Sequence, residues 1–153
     1  MVKQQQQRYQ VFLKVRDFGA RHQDQFPATS PAGRAFANVA EAAATIERQS
    51  SDRLVQATAM MTSMQNVNIP SILAGDFNCT PGSEPLNVVE AHFTRVTDDA
   101  PSIPVVAPKS KIDHIFVHPA TRWRVLETHV IDEEMASDHR PVVAKIELLP
   151  DGE

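Results

Sequence analysis

Ile69-Pro70-Ser71-Ile72-Leu73-Ala74-Gly75-Asp76-Phe77-Asn78 is a short apolar run that ends abruptly in polar side chains, followed by the turn residues Thr80-Pro81-Gly82. A run of this length and texture predicts a buried strand. Such a strand, delivering an aspartate and an asparagine into the loop at its end, is how a rigid scaffold presents chemistry. Two later stretches repeat the arrangement. Asp113 and His114 sit in the apolar run Ile112 to Val117, and Asp138 and His139 stand just ahead of the run Pro141 to Leu148.

The rest of the chain supplies a scaffold. Tyr9 to Val15 alternates as a strand does, and Ala35 to Arg48 spaces Phe36, Val39, Ala43 and Ile46 as an amphipathic helix does. Ser50-Ser51-Asp52 offers N-caps for a second helix, Arg53 to Gln65, whose stripe Leu54, Ala57, Met61 and Met64 reads as core packing. Ser83 can cap a short helix through Val89, and Phe93 to Val96 reads as a strand. Pro101 to Pro108 must be irregular or extended. Trp123 to Ile131 and Pro141 to Leu148 complete the β-rich end, the latter placing Val142, Ala144 and Ile146 inward and Val143, Lys145 and Glu147 outward. The expected fold is α/β (α+β), with one mixed, mostly antiparallel sheet and two N-terminal helices in a single domain, 1–153.

Composition narrows the classes. Hydrophobic residues at 42% and charged residues at 22% suit a globular chain, and no apolar run is long enough to span a membrane. Met1 to Gln10 lacks the apolar core of a secretory signal, so a cytoplasmic location is expected. The lone cysteine, Cys79, permits neither an internal disulfide nor a cysteine-based zinc cage. A net charge of -4 gives no general nucleic-acid coat. Acidic residues gathered around a cation can handle phosphate instead.

Gathered carboxylates repel one another unless a cation or a protonated imidazole sits among them, and hard oxygen ligands favour Mg²⁺ or Mn²⁺ over zinc. An aspartate beside an imidazole fixes its tautomer and stabilises its protonated form, which suits a phosphoryl oxygen. Asn78 can hydrogen-bond a phosphate or an attacking water without adding charge. Each cluster also has an ordinary reading. Asp76 can be a turn former, Asp113 one end of a structural ion pair, and Ser137 to Pro141 a polar loop entering a strand. Cys79, His92, His118, Trp123 and His129 read as packing or loop residues, His114 as a strand residue, and Arg140 as a brace for its own loop.

The joint order is more specific. Ile72-Leu73-Ala74-Gly75-Asp76-Phe77-Asn78, Lys111-Ile112-Asp113-His114-Ile115-Phe116-Val117 and Ala136-Ser137-Asp138-His139-Arg140-Pro141-Val142 closely resemble three successive motifs of the endonuclease/exonuclease/phosphatase superfamily, over about 69–148. The resemblance implies half of a four-layer α/β sandwich of the deoxyribonuclease I-like type. It implies a phosphoesterase, nuclease or phosphatase in kind, that uses Mg²⁺ or Mn²⁺ and water without a covalent intermediate. It makes Asp76 the residue that activates or orients water and a metal ligand, and Asn78 a positioner of nucleophile and phosphate. Asp113 would orient the catalytic histidine, Asp138 bind metal, and His139 contact the phosphoryl group. The substrate would be a phosphate ester: nucleic acid, inositol phosphate or phospholipid head group. The family's early asparagine and metal-binding glutamate have no counterpart before Tyr9. That predicts an uncovered sheet face, inviting a homodimer or a missing partner, and raises the alternative of a weakly active or inactive metal-binding or interaction domain.

Overall fold

A computed structural model describes residues 7–13 and 50–150 of the chain. The expected helix from Ala35 to Arg48 lies outside the described residues, as do the last two residues of the expected first strand. In chain order the elements are β1 (Gln7–Leu13), α1 (Ser50–Met64), β2 (Ser71–Asp76), α2 (Glu84–Glu90), β3 (Thr94–Arg95), β4 (Asp113–His118), β5 (Trp123–Val130) and β6 (Val142–Leu148). A 3₁₀ turn, Ala120–Arg122, leads into β5. The fold is mixed α/β with antiparallel pairing throughout.

The boundaries follow local chemistry. Helix α1 begins within the Ser50-Ser51-Asp52 cap cluster and carries Asp52 in its first turn, where a negative charge meets the positive end of the helix dipole. Its methionines are core, as their spacing predicts: Ala57, Met60 and Met61 are buried and Met64 packs partly against them. Strand β2 starts just after Pro70, which has no N–H to give a ladder. Ser83 occupies the N-cap position of α2 in extended conformation with a proline in the first turn, yet its hydroxyl makes no capping bond.

Two three-stranded sheets form, ordered β1-β6-β5 and β2-β4-β3, in place of the single sheet expected. Strand spacing predicts strands but not partners, because pairing is decided by contacts far apart in sequence. The β2-β4-β3 sheet is covered on both faces. Leu73, Phe77 and Phe116 pack against Ala57, Met60 and Met61 of α1 and Leu86 and Val89 of α2. On the other face Ala74, Ile115 and Val117 meet Val142, Ala144 and Ile146 of β6. Among the described residues, the motif-bearing sheet therefore has no open apolar face.

A second correction concerns β6. Val143 and Glu147, expected outward, are buried at 1% and 2% exposure. As the middle strand of its sheet, β6 has neighbours on both sides. Glu147 stands opposite Arg124 of β5 and pairs with it at 3.2 Å, which compensates a buried carboxylate. Edge strand β5 is more open, with a register shift between Val125 and Glu127 and with Val125 and Leu126 exposed. Among the described residues, no helix is long and apolar enough to cross a membrane.

Candidate active site

Register brings the first two motifs together. In the β2–β4 pair, Asp76 lies directly opposite Asp113. Side chains alternate along a strand, so both aspartates share the face of Ile72, Ala74, Ile115 and Val117, the face that meets the second sheet. The third motif arrives on the turn before β6. The outcome is one group: ligand atoms of Asp76, Asp113 and His139 all lie within 4.8 Å of one another.

The surroundings of each residue set its chemistry. Asp113 is fully buried and its carboxylate faces His139, whose Nδ1 lies 2.9 Å from Oδ2 and 3.2 Å from Oδ1. This bond to Asp113 raises the His139 pKa above its ordinary value, with burial opposing and the charges of Asp113, Asp76 and Asp138 assisting. An imidazolium with Nδ1–H held by Asp113 has only Nε2–H left to donate elsewhere. Asp76 accepts the Asn78 backbone N–H at Oδ1, 2.8 Å away. That turn puts Asn78 at φ 50°, a left-handed conformation asparagine tolerates better than most residues. Asp138 stands apart from the three-residue group. It is exposed on the turn, where its Oδ1 accepts the Ser137 hydroxyl at 3.2 Å.

Other residues on the site were not singled out from sequence. The Ser102 hydroxyl donates to Asp113 Oδ2, and Ser102 is fully buried. Its only sequence signal was a hydroxyl in a proline-rich loop. Arg53 of α1 donates through Nη1 to the Asn78 carbonyl, tying the helix to the turn. Lys111 is 4% exposed and burial lowers its pKa, while Asp98, Asp113 and Asp99 favour its charge.

The loop between β3 and β4 is stitched to the histidine turn. Arg140 N–H donates to the Ser102 carbonyl at 2.7 Å and Val105 N–H to the Asp138 carbonyl at 2.8 Å. Arg140 also reaches the Val105 carbonyl at 2.8 Å, Asp132 at 2.8 Å and Glu134 at 3.0 Å. It braces its loop, as expected.

His114, the neighbour of Asp113, points the other way. It is fully buried, with Nε2 2.9 Å from the Cys79 carbonyl and its ring beside Phe77 and Phe116. Burial pushes its pKa down to about 4. A ring that stays neutral against a carbonyl and two phenyl rings is packing, not chemistry. Cys79 is buried too, and burial raises its pKa, away from the reactive thiolate.

Solved structures of similar shape are known. An endonuclease/exonuclease/phosphatase family protein from Bacteroides thetaiotaomicron matches at 20% identity and TM-score 0.54, covering 65% of this chain and 46% of its own. One from Bacteroides vulgatus matches at 22% and 0.53, covering 64% and 44%. A mannosyl-6-phosphatase from Bacteroides thetaiotaomicron matches at 21% and 0.55, covering 64% and 46%. At such identities the likeness is one of fold, and the chain spans less than half the length of these relatives. No curated protein matches the sequence. The profile of the endonuclease/exonuclease/phosphatase family does, over residues 12–139, and the chain belongs to that family.

Proposed function

We propose that residues 1–153 form one domain that carries the water- and phosphate-handling part of a divalent-metal-dependent phosphoesterase. The observation that carries this reading is the convergence of Asp76, Asp113 and His139 on one spot from three separate stretches of sequence. Family membership and the fold shared with a phosphatase support it.

The donor set fits a hard divalent cation. Two aspartates face each other across the ladder, with the His139 imidazole within reach of both and bonded to Asp113, a cluster whose charge calls for a cation. Asp76 and Asp138 would hold Mg²⁺ or Mn²⁺, and the metal would supply charge to the phosphoryl oxygens as negative charge develops. Asp76 orients the attacking water. The Asn78 side-chain amide hydrogen-bonds the nucleophile or phosphate without adding charge. Asp113 holds the Nδ1–H of His139, so that the protonated ring donates from Nε2 to a phosphoryl oxygen. The substrate is a phosphate ester, mono- or diester.

One observation favours a second reading, a metal-holding or interaction domain of weak or no activity. Among the described residues, the group that could hold a metal contains two aspartates and a histidine but no glutamate. A partner, a second copy or a complementary segment, belongs with this reading, although among the described residues the motif-bearing sheet is covered on both faces. The two readings part on a single assay: release of phosphate or alcohol from simple mono- and diesters, with and without Mg²⁺ or Mn²⁺. Metal-dependent turnover supports the hydrolase. Metal binding without turnover supports the second reading.

A further inference from the structure

The polar network behind His139 extends one residue beyond the family motifs. Ser102 and Asp113 are both fully buried, and the Ser102 hydroxyl donates to Asp113 Oδ2, the oxygen that also lies nearest His139 Nδ1. Asp113 Oδ2 thus meets two donors, while Oδ1 lies 3.2 Å from His139 Nδ1. Ser102 is itself fixed twice through its backbone. Its N–H donates to the Ser110 carbonyl at 2.9 Å, three residues before Asp113, and its carbonyl accepts the Arg140 N–H at 2.7 Å, one residue after His139. One residue therefore spans the lead-in to the aspartate strand and the histidine turn.

We propose that Ser102 is a positioning residue, whose hydroxyl commits the Asp113 carboxylate to His139 and keeps it from turning toward Asp76 and any cation held there. The physical case is one of competition. Asp113 lies across the ladder from Asp76, within reach of the same spot, so a carboxylate anchored only by His139 has a rival use. A buried hydroxyl that donates into the carboxylate, rather than to its own loop, removes that freedom, and charged hydrogen bonds of this type are the stronger ones. The inference rests on the phosphoesterase reading for its consequence, though not for its geometry.

The test uses the full chain, free of metal, at one fixed pH. Proton–nitrogen spectra of the His139 ring should show a hydrogen-bonded Nδ1–H resonance in the wild type. Ser102→Ala should displace or abolish it while the backbone amide spectrum persists. Should that variant fail to fold, Ser102→Cys, which keeps the side chain's size but donates weakly, is read in the same way. With Mg²⁺ restored, kcat on a simple phosphate ester should fall about 10–100-fold with KM unchanged, the range for losing an outer supporting contact. An unchanged Nδ1–H resonance, or a loss confined to KM, would overturn the proposal. A wild type that turns over nothing would instead sink the phosphoesterase reading, leaving the ring spectrum to decide on Ser102.

Discussion

The two faces of β4 carry adjacent residues, Asp113 and His114, into opposite worlds. One face meets the second sheet and ends in a carboxylate bonded to His139; the other packs His114 among Phe77, Phe116 and the Cys79 carbonyl. The two histidines are the same side chain in chemically inverted settings. A carboxylate partner lifts the pKa of His139, whereas burial, with the nearby cations Lys111 and Arg95 assisting, drops that of His114 to about 4. The pleat alone separates them. Chemistry is confined to one face because the other has been made apolar enough to forbid charge.

The comparison breaks most visibly at His139. His139→Ala should lower kcat about 10²–10⁴-fold, the span of positioned proton donors, and leave the fold intact. Steady-state kinetics beside a thermal melt would check both halves. Phe116→Ala should do the reverse, costing about 3–5 kcal/mol of stability through the cavity it leaves between the sheet and α1. Urea unfolding measures that loss.

The pH dependence sharpens the contrast. The folded pKa of His114 lies below its unfolded value of about 6.5, so between these the unfolded chain binds more protons. Stability should therefore fall as pH drops from 6.5 to 4, by up to about 3 kcal/mol from this group. His139 runs the other way. Its raised pKa contributes stability that is present below the unfolded value and lost as pH climbs through the folded one. Denaturation at pH 7 and 4.5 should show a smaller acid loss in His114→Gln than in the wild type. The mildest effect belongs to Asp138, which stands outside the tight group. Asp138→Asn should weaken Mn²⁺ binding about 10-fold by calorimetric titration, a modest loss for a proposed ligand on an exposed turn, and Asp76→Asn, which removes a ligand of the tight group, should weaken it more.

Much of this was legible in the sequence because it is local. The methionine spacing of α1 gave its buried stripe, and the apolar run from Ile69 to Ala74 gave the place of β2, which starts two residues later at Ser71. Asp76, Asp113 and His139 could be singled out because motif order constrains them jointly, although the metal ligands expected were Asp76 and Asp138 and the latter lies outside the group. What stayed hidden was long-range. Nothing in Trp123 to Leu148 shows that β6 becomes a middle strand, so the alternation around Val143 and Glu147 reads as half-exposed until partners appear on both sides. Ser102 was invisible for a similar reason. A serine in a proline-rich loop has no pattern of its own, and its role comes from where Ser110 and Arg140 hold it. Lys111 and Arg53 likewise gain meaning only from the loops folded against them.

The central claim is that motifs far apart in sequence make one catalytic site, and coupling between them is its most direct measure. The experiment is a double-mutant cycle on metal-dependent hydrolysis with Asp76→Asn, His139→Ala and the pair together. Groups acting as a unit are strongly non-additive, so the double variant should be scarcely slower than the worse single one. Losses that multiply in full would show two independent residues, and the site described above would not exist.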